Sequence, residues 1–189
     1  MANITIFGKG NMGSAIGGLF QDARNEVTYI GSQDGKQVLG DIIVLAVPYA
    51  AVEGILTNYA GELAGKIIVD ITNPVNFETF DGLVVPADSS AAQEIQAKVS
   101  DAKVVKAFNT NFGATLASKQ VGDNTTTVLA AGEADAKASL AQALEGSGLN
   151  FVDAGELSRA RELEAMGFLQ ITLAAREEIA WTSGFAVIK

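Results

Sequence analysis

Along the first two-thirds of the chain, short apolar runs alternate with stretches in which apolar residues recur at helical spacing. That alternation is the signature of a parallel sheet with helices packed on its faces. Strands are predicted over Ile4–Phe7, Val27–Ile30, Ile42–Val47, Ile67–Ile71, Val104–Phe108, Thr126–Ala131 and Phe151–Asp153. Several are apolar at nearly every position, as strands covered on both faces must be. Between them, Met12, Ile16, Leu19 and Phe20 form one helical stripe, and Val52, Ile55, Leu56, Tyr59 and Leu63 form another. Ser90 and Gln93 have capping-box spacing ahead of a helix over Ala91–Val99, and Asp135–Glu145 reads as a helix closed by the turn Gly146-Ser147-Gly148. The last helix is predicted over Arg159–Ala180. It carries one stripe through Leu163, Met166, Leu169 and Leu173 and a second through Phe168, Ile171, Ala175 and Ile179. Two apolar faces need two partners, which are either the sheet and a second subunit or surroundings within one chain that bury the helix completely.

The chain has 189 residues, the size of one domain, read here as spanning 1–189 with 155–189 as a C-terminal helical extension. Thirteen Lys and Arg against twenty-two Asp and Glu leave a net charge of −9. A surface of that sign repels phosphate backbones, so no nucleic-acid partner is expected, and an anionic ligand must be held by local backbone geometry and a few placed cations. Cysteine and histidine are both absent. That excludes disulfides, thiolate or imidazole metal sites, a cysteine nucleophile and a Ser-His-Asp triad; no metal ligand set is predicted. The N-terminus lacks a basic segment followed by an apolar one, and the longest apolar stretch, Ile42 to Leu56, contains Pro48 and Glu53. No membrane span is expected, and the chain reads as cytoplasmic.

Candidate chemistry begins at Gly8-Lys9-Gly10-Asn11-Met12-Gly13, a G-x-G-x-x-G turn that directly follows a strand and opens a helix, with Gly17 beyond it. In that context the first glycine permits a tight turn, the second lets backbone approach a pyrophosphate, and the third lets helix and strand pack closely. The helix N-terminus supplies N–H donors and a positive dipole end. NAD-specific sites place a carboxylate at the end of the second strand to hold the ribose 2′-hydroxyl. Here that place reads Tyr29-Ile30-Gly31-Ser32-Gln33. Ser32 and Gln33, with Lys9 and Lys36 as nearby cations, suit a 2′-phosphate, which favours NADP over NAD; Asp34 remains an alternative ribose ligand. Three further strands end in polar or proline turns: Ala46-Val47-Pro48-Tyr49, Thr72-Asn73-Pro74 and Asn109-Thr110-Asn111. Open α/β sheets bind ligands beyond these carboxyl ends, where strand order reverses. Each turn has an alternative reading as a simple cap or loop.

Taken together, these motifs make the chain similar to the deazaflavin (coenzyme F420)-dependent NADP oxidoreductases, whose dinucleotide-binding fold also serves in some membrane ferric reductases. The resemblance runs from Gly8–Gly17 through Val27–Ser32, Leu45–Pro48, Val69–Pro74, Ser89–Ala92 and Val105–Thr110 to Asp153–Gly155 and Arg159–Glu164. It implies a Rossmann-like, doubly wound α/β fold, with a mostly parallel sheet of about seven strands and a long C-terminal helix. It also implies a glycine turn on the pyrophosphate, Ser32 and its neighbours on the 2′-phosphate, and Val47-Pro48 beside the nicotinamide ribose. The nicotinamide would lie near Asn73-Pro74 and Ala107, with a deazaflavin or flavin stacked on it as a small redox acceptor. Members of this family are typically homodimers, which suits a two-faced last helix.

Two departures stand out. The family often carries Arg where this chain has Gln33, which weakens the 2′-phosphate clamp. In addition, about ten residues separate Gly31 from Ile42, too few for a helix and a further strand, so the second βαβ half is shortened and the adenine pocket should be open.

Hydride transfer between a nicotinamide and a flavin-like ring needs juxtaposed planes and no histidine, so the composition fits it better than a hydroxy-acid or alcohol dehydrogenase. No catalytic side chain is assigned, with Lys106 and Tyr49 as conceivable proton donors. The alternatives are an imine reductase resembling pyrroline-5-carboxylate reductase, whose N-terminus also reads like Gly8–Ile16, and a module that senses NADP(H) without turnover.

Overall fold

The computed structural model describes residues 1–188. A seven-stranded sheet is built from β1 (Asn3–Phe7), β2 (Glu26–Ile30), β3 (Ile42–Leu45), β4 (Ile67–Asp70), β5 (Lys103–Lys106), β8 (Thr127–Gly132) and β9 (Asn150–Gly155), in the spatial order β2-β1-β3-β4-β5-β8-β9. Neighbouring strands run parallel except at β5 and β8. The helices are α1 (Asn11–Asp22), α2 (Tyr49–Asn58), α3 (Ala91–Lys98), α4 (Gly113–Ser118), α5 (Ala134–Ala143) and α6 (Ala160–Ala175). This is the α/β, Rossmann-like architecture that the alternating pattern predicts, and all seven expected strands take their places in the one sheet. A small hairpin, β6 (Gln120–Val121) with β7 (Asn124–Thr125), lies outside it and is not among the expected strands, although Gly122-Asp123 is a two-residue hairpin turn.

The sheet divides the core in two because successive side chains of each strand face opposite ways. On β3, Ile42 and Val44 join Ile4, Ile6, Phe20 and Leu140 on the side covered by α1 and α5, while Ile43 and Leu45 join Leu56, Tyr59 and Ile95 on the side covered by α2 and α3. All four β3 residues are therefore buried, which is why that strand reads as an unbroken apolar run. At α3, the Gln93 main-chain amide donates to Ser90 Oγ (3.1 Å), as the capping-box spacing predicts, and the Ser90 hydroxyl in turn donates to Gln93 Oε1 (3.0 Å).

The last helix is shorter than predicted. It stops at Ala175 because Glu177 adopts φ +61, and the Glu178 and Glu177 amides then bond back to the Leu173 and Ala174 carbonyls. That is a Schellman ending, although glycine is the usual residue at its left-handed position. Ile179 thus falls outside the helix, and the periodic stripe overruns the true end. Nor is the helix buried all round. It inserts Ala160, Leu163, Glu164, Gly167, Gln170 and Ala174, and leaves Leu169 52% exposed with Met166, Phe168 and Leu173 half-buried.

Between β2 and β3 the chain returns without a helix, along residues 31–41. The linker is tied down one bond at a time. The Gln37 amide donates to the Tyr59 hydroxyl (3.2 Å), the Gly40 amide to Thr5 Oγ1 (2.8 Å) and the Asp41 amide to the Asn3 carbonyl (2.8 Å), and Leu39 is buried. Here β2 forms the sheet edge, as the shortened βαβ half predicts. A Cβ on Gly40 would lie 2.3 Å from the Asn3 carbonyl oxygen. Substituting Gly40→Ala should therefore lift the linker off β1 and cost about 1–3 kcal/mol in urea unfolding.

Candidate functional site

Strand order reverses at β1, with β2 on one side and β3 on the other, so the carboxyl end of β1 is the switch point of the sheet. The backbone there is packed as closely as atoms permit. Gly8 has φ +106, and a Cβ on it would sit 2.1 Å from the Ala46 carbonyl oxygen; one on Gly13 would sit 2.2 Å from the Gly8 carbonyl oxygen. The Gly8 amide donates to the Ile30 carbonyl and the Ala46 amide to the Phe7 carbonyl, both at 2.9 Å. Gly17 answers to a different neighbour, since the Tyr29 hydroxyl occupies the space of its missing side chain at 1.9 Å.

A cleft of about 760 Å³ opens from this point. Among the predicted site residues, Gly8, Lys9, Gly10, Ser32, Gln33, Ala46, Val47 and Pro48 line it together. Asn11 and Met12 begin α1 beside them, with Met12 packed on the core. Lys36 turns away, paired with Glu62 at 2.6 Å and lying over the Tyr59 ring. Tyr49 opens α2 and borders a small depression shared with Glu53, Glu94 and Lys98; burial raises its phenol pKa above the ordinary value, with Glu94 adding to the rise. Sequence reasoning missed the far wall, which is built from Ala51, Gly54, Ile55, Asn58 and Tyr59. The first four stand at i, i+3, i+4 and i+7 on α2, and the apolar stripe read from the sequence names only Ile55 and Tyr59 of this wall, as core positions. It also missed the bonds of Asp34. The Asp34 carboxylate accepts from the Gly31 amide (2.7 Å) and pairs with Lys9 Nζ (2.6 Å), and these two donors hold its pKa below that of a free aspartate, Lys9 contributing most.

The remaining predicted residues belong to a second cluster at the ends of β4 and β5. Phe108, fully buried, holds the left-handed φ of +63 and stacks edge-on against Phe20 at 6.4 Å. Beyond it, Asn109 Nδ2 donates to Asn73 Oδ1 (2.9 Å) and to the Leu163 carbonyl (2.8 Å), while Asn73 Nδ2 donates to the Asn109 carbonyl (2.9 Å). Gly167 of α6 presses directly on this pair: a Cβ there would meet Asn73 Oδ1 at 2.2 Å. Pro74 and Ala107 are buried, and Asn73 is half-exposed.

Beneath the cluster lies a charge triad. Lys106 Nζ pairs with Asp70 (2.8 Å) and Glu164 (2.8 Å) and donates to the Thr72 carbonyl, and all three charged side chains are wholly inaccessible. Glu164 also accepts from the Ala91 and Ala92 amides at the start of α3, where the helix dipole favours a negative charge. Burial pushes the Glu164 carboxyl above its ordinary range against the pull of Lys106. Lys106 is therefore sealed away as a structural cation and has no path to a ligand in the cleft.

Comparison with known proteins agrees with these features. A family model described as NADP oxidoreductase, coenzyme F420-dependent, matches residues 36–74, from the linker through β3, α2 and β4 to the Asn73-Pro74 turn. An F420-dependent NADP reductase of Methanocaldococcus jannaschii is 29% identical over 140 residues, 71% of this chain and 62% of that protein. The chain thus spans only about three-fifths of the length of that relative. The metalloreductase STEAP3 of Rattus norvegicus is 30% identical over 111 residues, 59% of this chain and 22% of that protein. A solved structure from Arthrobacter sp. FB24, provisionally named an F420-dependent NADP reductase, superposes over 100% of both chains at 26% identity with a TM-score of 0.84. This chain is similar to the coenzyme F420-dependent NADP reductases over part of its length. Solved imine reductases and a pyrroline carboxylate reductase share its fold at 15–19% identity and TM-scores of 0.58–0.67, a likeness of fold alone.

Among the described residues no group of His, Cys, Asp and Glu could hold a metal ion, and no helix is long and apolar enough to cross a membrane. Replacing Lys106 with Met would strand two carboxylates in the interior without their cation. The expected cost is about 3–5 kcal/mol in urea unfolding.

Proposed function

We propose that this chain is an NADP(H)-dependent oxidoreductase that passes a hydride between a nicotinamide and a flat, flavin-like acceptor, either a deazaflavin or a flavin. The observation that carries the proposal is Gly10. Its backbone is ordinary, with φ −76 and ψ −172, and a Cβ there would meet nothing within 4 Å. Gly8 and Gly13 are required by the packing around them, but neither conformation nor packing asks for glycine at position 10. A ligand laid against the backbone supplies the reason. No side chain caps α1 and its first turn carries no acidic residue, so the free N–H groups and the positive dipole end are left for an anion such as a pyrophosphate.

In this reading the glycine turn holds the pyrophosphate, and Ser32, Gln33 and Lys9 meet the 2′-phosphate. Val47 and Pro48 flank the ribose, and the wall from Ala51 to Tyr59 receives the adenine. Asn73 stands at the nicotinamide end, its amide already fixed by Asn109 and Gly167, so little ordering remains to be done on binding. The nicotinamide, when bound, supplies or takes the hydride. Such chemistry asks no general acid or base of the protein, in keeping with a chain that has no histidine. The M. jannaschii and Arthrobacter relatives, both named as NADP reductases, support the same reaction class. A small-molecule acceptor, a cytoplasmic location and a single unit over residues 1–189 complete this reading.

Substituting Gly10→Asp should leave the thermal unfolding curve close to that of the wild type while weakening NADP(H) binding by about 100-fold or more, read by fluorescence titration. Unchanged affinity would reject the site.

The second part of the proposal is a homodimer formed through α6. Its support is the face that α6 turns outward, where Leu169 stands exposed with half-buried Met166, Phe168 and Leu173 beside it. Sedimentation velocity should show a dimer for the wild type and a monomer for Leu169→Asp; a monomeric wild type would refute it.

A further inference from the structure

The phosphate end of the cleft already holds an anion, and that anion belongs to the chain itself. Asp34 Oδ2 receives two donors on one oxygen, the Lys9 ammonium at 2.6 Å and the Gly31 main-chain amide at 2.7 Å. The Asp34 amide donates back to the Gly31 carbonyl at 3.1 Å, so the loop after β2 closes around this carboxylate. An ammonium and a backbone N–H converging on one point are the donors that bind a phosphate oxygen. Lys9 and Asp34 are also the charged residues among those lining the cleft. The other nearby cation, Lys36, is held by Glu62 outside it.

We propose that Asp34 is the specificity-determining residue of this cleft: its carboxylate occupies the 2′-phosphate seat, and NADP(H) enters by displacing it from Lys9 and Gly31. The proposal rests on the reading of the cleft as a dinucleotide site and adds how that site chooses between nucleotides. A ribose bearing a free 2′-hydroxyl donates to the carboxylate and leaves the pair intact. A 2′-phosphate is mostly dianionic at neutral pH and repels the carboxylate, so it must take Lys9 for itself and push Asp34 toward water. Asp34 therefore handicaps NADP(H) relative to NAD(H), and Lys9 is the cation whose change of partner decides the outcome. An aspartate is ionised at neutral pH, and Lys9 and the Gly31 amide lower the pKa of Asp34 further, so the competition is between two anions throughout the physiological range.

The test is a set of dissociation constants for NADP and NAD, measured by calorimetry on the full chain. In Asp34→Asn the new amide oxygen can still accept from the Gly31 amide, so the turn is kept while the charge is removed. The expected result is a gain of about ten-fold or more in the preference for NADP over NAD, chiefly from tighter NADP binding. Lys9→Met should weaken NADP by about ten-fold or more and NAD by less than about three-fold. A ratio that moves less than about two-fold in Asp34→Asn, or a Lys9→Met that weakens both nucleotides alike, would overturn the exchange while leaving the dinucleotide site in place. Failure of the wild type to bind either nucleotide would overturn both.

Discussion

The carboxyl end of β1 is a place where three segments of main chain come together with no room for side chains. The Ala46 carbonyl lies against Gly8, and the Gly8 carbonyl lies against Gly13. This contact locks the start of α1 to the ends of β1 and β3, so the mouth of the helix opens directly over the switch point of the sheet. Everything that a ligand would meet there follows from it. The helix N–H groups are aimed by the turn, the Val47-Pro48 edge is brought beside them, and the loop after β2 hangs from the Gly8–Ile30 bond. Within the turn, Gly10 alone escapes the crowding, so the packing that requires Gly8 and Gly13 does not require a glycine there.

A second constraint holds the other end of the site. Burying Asp70, Lys106 and Glu164 together gives up a large hydration energy, recovered through mutual pairing, the Thr72 carbonyl and the first amides of α3. The cluster joins β4, β5, α3 and α6, bringing together residues from Asp70 to Glu164. Above it, Asn73 and Asn109 are clamped between the strand ends and Gly167 of the last helix. The positions expected to face a nicotinamide are thus set by α6, a helix that belongs to neither βαβ half. The same helix turns apolar side chains outward, so an assembly built on that face would bear on the strand ends through one turn of helix.

The sheet and the glycine turn were legible because their causes are local. Ile42 to Leu45 are apolar at every position because both faces of the strand are covered, and the strand-turn-helix context of Gly8–Gly13 left little room for another reading. Helix ends were less legible. The stripe through Ile179 continues the apolar period, but the chain leaves the helix at Glu177 by a left-handed turn that Glu does not advertise. The far wall of the cleft was hidden because the small residues of α2 carry no chemical label. Lys106 carried a signal of a kind, a charge between apolar neighbours in a strand; its partner Glu164 lies in a helix whose distance from it no local pattern encodes.

Hydrophobic period, glycine spacing and strand-end residues by themselves determined the α/β class, the strands of the main sheet and the place of the glycine turn, since each depends on neighbours a few residues apart. Tertiary structure alone decided which anion each cation meets. Lys9 and Lys36 look equivalent along the chain, yet Lys36 is drawn to Glu62 and Tyr59 while Lys9 lines the cleft and holds Asp34. The physical reason is that an ion pair within a few ångströms is set by how the chain returns past β1 and α2, and that path is chosen by packing, not by sequence distance.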